Sequence, residues 1–280
     1  MDGILYRALA RRAALAAIRA RTVAIMAAVA GVFLVAGTPP VSADENHVDG
    51  ELKHEEVDRP TGAFAATNIW KIARGGQLYD KWYAVLDLDP PEGTHPAYPG
   101  VGQKSGATTF RCKECHGWDY RGADGTYASG SHFTGIKGVR GVVGTDAEVI
   151  EAILRDDTHA LKDILPRRSI EYLALFLSEG QLDMDLFIDR TTKKAKGDAR
   201  RGAAFYQTIC AVCHGFDGTD INFHDPDDPE YVGTVAHKNP WEALHKIRYG
   251  QPGVGMVAMT VLGVQDQIDI LAFIQTLPTE

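Results

Sequence analysis

Cys112-Lys113-Glu114-Cys115-His116 and Cys210-Ala211-Val212-Cys213-His214 decide how the rest of this chain is read. Both are Cys-x-x-Cys-His, both are followed by Gly, and together they use all four cysteines of the 280 residues. Two thiols three positions apart lie on one side of a helical turn. That spacing suits thioether bonds to the two vinyl groups of one haem, with the following histidine held beneath the iron. A zinc site would have to fold both motifs onto one ion, yet they stand 98 residues apart and each carries its own histidine. A thioredoxin-like redox pair would need a βαβ setting, and the sequence has no such pattern. The motifs therefore predict two covalently attached haem c groups. Cys112 and Cys115 would hold one, Cys210 and Cys213 the other, with His116 and His214 as the first iron ligands.

Upstream, Arg7, Arg11, Arg12, Arg19 and Arg21 precede the apolar run Val23–Gly37 and the small-residue site Val41-Ser42-Ala43. That layout predicts a secretory signal peptide over 1–43 and a periplasmic location. An uncleaved N-terminal anchor is the alternative, although the run is shorter than the ~20 residues a spanning helix needs. Residues 44–66 read as a flexible leader. The whole chain carries a net charge of −8; without 1–43 it keeps 24 basic and 36 acidic residues, a balance of −12. Such a surface argues against nucleic acid and favours partners with a basic docking face.

The two halves read as copies of one helical plan. In the second, Gly197–Gly202 opens a helix that runs through Tyr206 into Cys210. Trp241–Arg248 is a middle helix, and Gln265–Leu277 a closing one with Ile268, Leu271, Ile274 and Leu277 on one face. In the first half, Ala73–Trp82, Asp146–Arg155 and Arg168–Leu177 take the corresponding places. The Pro- and Gly-rich stretch 83–111 is inserted between the opening helix and Cys112 and reads as loop. The expected organisation is all-α: a first domain over 67–182, a polar linker over 183–199 and a second domain over 200–280.

On these motifs and helices, the chain from about residue 70 onward resembles tandem, di-haem class I c-type cytochromes. The resemblance implies two cytochrome c-like haem domains. It also implies a distal Met in the loop before each closing helix. Met256-Val257-Ala258 is similar to the family's Met-Pro-Ala, which assigns Met256 to the second iron and leaves Met259 to packing. The first half has no Met between His116 and Met184. The motifs repeat at an offset of 98, but Phe176-Leu177 and Phe273-Ile274 repeat at 97, and 97 carries Met256 onto His159. His159 is the first candidate for the first iron. His132, then His95, Lys137 and Lys162, and an iron without a sixth ligand, are the alternatives. His224, His237 and His245 are the lesser alternatives for the second iron; His245 reads as a surface residue of the middle helix and His224 as part of a solvated loop.

The resemblance implies single-electron transfer between a redox-protein donor and acceptor, or within a larger respiratory or sulfur-oxidising complex. A haem enzyme is the rival reading. Thiosulfate dehydrogenases of similar outline use a Cys as distal ligand, and here every Cys is taken by attachment. A di-haem peroxidase stays open if the first distal ligand is labile.

Overall fold

Thr67 opens the first helix, its Oγ1 accepting the Trp70 amide at 3.2 Å. The computed structural model describes residues 66–280, so the signal-peptide and leader expectations lie outside the described residues, Ala66 excepted. Helix α1 runs Asn68–Val85 with a kink at Lys81. The short α2, Cys112–His116, carries the first motif. It is followed by α3, Ala147–Leu154, capped by Asp146, and by α4, Arg167–Leu175, which runs into a π turn at Phe176–Gly180. In the second half α5 is Ala199–Phe205, capped by Asp198, and passes through a π turn at Tyr206–Cys210 into α6, Ala211–His214. Then come α7, Val232–Lys238, α8, Pro240–Tyr249, with Asn239 as cap and Pro at its first position, and α9, Val264–Ile274. Among the described residues there is no strand beyond two isolated bridges, Gly122–Lys137 and Ile188–Ala195. No described helix is long and apolar enough to cross a membrane.

One piece of architecture occurs twice. In each half the opening helix crosses the closing helix at a glycine. A Cβ on Gly75 would strike the Tyr172 carbonyl, and one on Gly202 the Asp269 carbonyl. Glycine weakens a helix interior, and here the close approach of two backbones is what it makes room for. One turn on, Tyr79 packs against Phe176 with ring centres 5.4 Å apart, and Tyr206 against Phe273 at 5.2 Å. The Tyr79 hydroxyl donates to the Gly117 carbonyl at 2.7 Å, the Tyr206 hydroxyl to that of Gly215 at 3.1 Å. Both glycines directly follow a motif histidine. The tyrosines repeat at an offset of 127 and the glycines at 98; the difference of 29 is the length of 83–111. The insertion therefore leaves the helix pair and the motif in their mutual register.

The halves pack closely. Helix α8 lies against α1, and its residues Trp241, Ala243, Leu244, His245, Ile247, Arg248 and Tyr249 are all buried, so almost no face of it is left to solvent. Here one sequence expectation is corrected. His245 is fully buried, not solvent-facing. Its Nδ1 meets the Tyr120 hydroxyl at 2.8 Å and its Nε2 the Gly76 carbonyl at 2.9 Å. Beside it Asp80, also fully buried, pairs with Lys246 at 2.8 Å and with Arg111. Burial alone would raise the Asp80 pKa, but Lys246 and Arg111 outweigh it and hold the carboxyl at about 2. The segment 183–199 is docked as well. Met184 and Ile188 are buried, and Arg190 reaches the buried Asp119 at 2.8 Å.

Candidate haem sites

In the first motif the backbone of α2 presents Cys112 and Cys115 half-buried. Burial, then the neighbouring thiol, pushes Cys112 up to about 12; burial, then Glu114, pushes Cys115 up to about 11. All four cysteines are free thiols, and Cys210 too is raised to about 11, chiefly by burial. A redox-active Cys-x-x-Cys pair depends on a lowered thiol pKa, and Cys112, Cys115 and Cys210 are shifted the other way.

His116 directs its Nδ1 to the Lys137 carbonyl at 2.8 Å. A carbonyl can only accept, so Nδ1 carries the proton and Nε2 keeps its lone pair for a metal. Burial, reinforced by the His159 imidazole, holds this histidine neutral by lowering its pKa. His159 repeats the arrangement. Its Nδ1 faces the Ile153 carbonyl at 3.0 Å and Asp156 Oδ1 at 3.1 Å, again leaving Nε2. The two rings face each other with centres 6.5 Å apart and planes 24° from parallel. Two imidazoles sharing one metal ion at bonds of about 2 Å each have ring centres roughly 6 Å apart. Each ring keeps an Nε2 lone pair, the kind of donor that haem iron takes, and the two rings stand near that separation.

The alternative first-site ligands have other neighbours, and none of them is paired with His116 in a ring contact as His159 is. His132 is bound to the buried Glu114 at 2.6 Å and stacks on Tyr127 at 4.7 Å. His95 packs edge-on against Phe110 at 5.0 Å, and its Nδ1 accepts the Ala97 amide at 3.1 Å. Lys137 and Lys162 are exposed.

The second motif is built differently. Cys213 is exposed and Val212 is 80% exposed, where the matching Glu114 of the first motif is 1% exposed. His214 has a buried Nδ1 without a hydrogen-bond partner. Phe223 lies edge-on to its ring at 6.0 Å. Met256 is half-buried in the loop between α8 and the turn Met259–Val261, while Met259 is packed in the core. The two methionines thus divide into one available thioether and one packing residue. His224 and His237 are exposed. Thioether and imidazole are both donors that haem iron takes, and no described contact joins Met256 to His214.

Sequence reasoning missed the cluster of Asp80, Arg111, Lys246 and His245. Asp80 gave one signal: it follows Leu78 and Tyr79 on a helix whose other polar positions lie elsewhere.

Residues 197–274 match the family described as cytochrome C oxidase, cbb3-type, subunit III. Over these residues, less than a third of the chain, the sequence is similar to a c-type cytochrome domain, a type that carries covalently bound haem c and transfers electrons with redox-protein partners. No curated protein and no solved structure matches the chain.

Proposed function

We propose that the chain is a periplasmic di-haem cytochrome c that passes single electrons between a donor and an acceptor protein. The observation that supports the di-haem reading is the neighbouring pair His116 and His159, each with Nδ1 committed and Nε2 left. Cys112 and Cys115 would anchor the first haem and Cys210 and Cys213 the second, with His116 and His159 to hold the first iron and His214 and Met256 the second. When bound, each iron takes up or releases one electron at a time.

The chain's own residues then set the two sites apart. A thioether at Met256 favours the reduced state and raises the second potential, whereas an imidazole at His159 favours the oxidised state. A gap of roughly 0.1–0.3 V is expected between them, within the ~0.8 V that axial ligands command. Electrons would enter at the first site and leave at the second, whose motif is the exposed one. The acidic surface suits a basic partner.

A redox titration followed by EPR tests the reading. Two covalent haems, one bis-histidine and one histidine–methionine, are expected. His159→Ala should turn the first haem high-spin and leave the second low-spin. Haem released to organic solvent from denatured protein, or a low-spin first haem in His159→Ala, would sink it. Turnover with peroxide or a sulfur anion at enzymic rates would favour the enzyme reading instead.

A further inference from the structure

The first motif has a face that the protein covers. Glu114 and Trp118 are each 1% exposed. His132 Nδ1 and Thr108 Oγ1 lie on the Glu114 carboxylate at 2.6 and 3.4 Å. Helix α8 lies on Trp118, with the His245 ring centre and the Lys246 Nζ each 5.1 Å from the indole. The offset of 98 carries these two positions onto Val212 and Phe216, which are 80% and 73% exposed. The face that the first motif turns to a helix of the second half therefore stands open at the second motif. Exposed apolar residues in such a place mark a surface that another molecule covers.

Acid borders the open face. Loop 217–230 contains Asp217, Asp220, Asp225, Asp227, Asp228 and Glu230, with no lysine or arginine. The loop is folded against the motif: the Asp220 amide donates to the His214 carbonyl at 3.1 Å, and Asn222 Oδ1 accepts the His224 and Glu230 amides at 3.0 Å each. Among the described residues, Asp228 meets His224 at 3.4 Å, and none of the six carboxylates has a lysine or arginine as ion-pair partner. Repetition of the fold would suggest a second copy as occupant, since α3 is the counterpart of α8 and exposes Val149 and Ile153. But α3 brings Glu148 and Glu151 and no basic residue, so acid would meet acid. At the covered face the helix that docks brings Lys246.

We propose that Val212 and Phe216, bordered by loop 217–230, dock a partner protein whose face is an apolar ridge ringed by lysine or arginine. This rests on the reading of the chain as an electron carrier, and it makes that partner the acceptor. Charge brings the acceptor in, and apolar contact at Phe216 holds it.

Mitochondrial cytochrome c, a basic redox protein whose lysines ring an apolar patch, is the probe. Its binding to the holoprotein is measured by titration calorimetry at about 0.01 M and about 1 M salt, where charge reaches roughly 30 Å and 3 Å. Binding should be tight at low salt and lost at high salt. The triple variant Asp225→Asn, Asp227→Asn, Asp228→Asn should weaken low-salt binding about tenfold. The triple variant Asp87→Asn, Asp89→Asn, Glu92→Gln removes the same charge from exposed positions of the insertion and should leave binding nearly unchanged. Phe216→Ser should weaken it about tenfold with every charge intact. Absent or salt-insensitive binding, equal loss in the two triple variants, or no loss in Phe216→Ser would overturn the docking face. So would a dimer in sedimentation that Phe216→Ser dissolves, which would give the face to a second copy. If the variants bind as stated but the bound probe takes no electron from the reduced protein, the carrier reading fails and the docking face stands. If electrons pass and all three variants bind like wild type, only the docking face fails.

Discussion

The two Cys-x-x-Cys-His motifs share a sequence and a turn but not an environment. Around the first, Lys113 and Glu114 are 5% and 1% exposed, and His116 has its backbone acceptor. Around the second, Val212 and Phe216 are 80% and 73% exposed, and the His214 Nδ1 has no partner. The difference comes from what the rest of the chain lays over each site. Arg111 of the insertion and Lys246 of α8 meet at Asp80 beside the first motif, while Val212 and Phe216 leave the second open. A site enclosed on two sides suits holding an electron at a defined potential, and an exposed one suits handing it on.

Acid should break the enclosure of the first site before it harms the second. His245 is buried and neutral, with a pKa of about 3 set by burial and by the nearby Lys246 and Arg248, against the pull of Asp80. An unfolded histidine titrates near 6.5, so the unfolded chain gains the proton first as pH falls. Stability from this residue is complete above about pH 6.5 and is lost progressively toward pH 3, by up to roughly 5 kcal/mol. Urea unfolding of wild type and His245→Gln between pH 7 and 4 isolates the histidine from the carboxylates. Equal pH slopes in the two proteins would refute this account.

Asp80→Asn attacks the same seam at neutral pH. It leaves Arg111 and Lys246 facing each other without their carboxylate, and breaking a buried pair from one side costs about 3–5 kcal/mol. Because Arg111 directly precedes Cys112, the loss should also broaden the first haem's EPR signal. The second haem's signal should not change.

At the open site the two methionines should separate cleanly. Met259→Ala removes a packed side chain and should cost about 2–5 kcal/mol while keeping the long-wavelength sulfur–iron band. Met256→Ala should abolish that band at little cost in stability. The reverse pattern would move the ligand three residues on.

Much of this was legible in the sequence because it is local. The thiol spacing, the Asp and Asn caps, the helix-period apolar faces and the 98 and 97 offsets depend only on neighbours along the chain, and the helices stand within a few residues of where those signals put them. Tertiary contact decided what could not be read. His245 looks like a polar residue on a surface helix until α1 is laid over α8. Asp80 looks exposed until residues 31 and 166 positions further along supply its counter-charges. The insertion gave only its loop composition, because the bonds that pin it, such as the His95 amide to Thr109 Oγ1, join residues fourteen positions apart.

The smallest expected effect is the sharpest test of likeness between the halves. Tyr79→Phe and Tyr206→Phe each delete one hydroxyl that donates to the glycine carbonyl after a motif histidine. Neither carbonyl is left bare, since Gly117 also accepts the Tyr120 amide and Gly215 the Gly218 amide. Each substitution should therefore cost only about 0.5–1.5 kcal/mol in a denaturant titration. Tyr79 makes the shorter bond, 2.7 Å against 3.1 Å, inside the enclosed half, so its loss should fall at the upper end of that range and Tyr206 at the lower. Each bond holds the turn that carries one proximal histidine. Tyr79→Phe should accordingly perturb the spectrum of the first haem alone, and Tyr206→Phe that of the second alone. If either variant disturbed both haems equally, the two sites would be coupled through the seam at α8 more tightly than their separate hydrogen-bond sets allow.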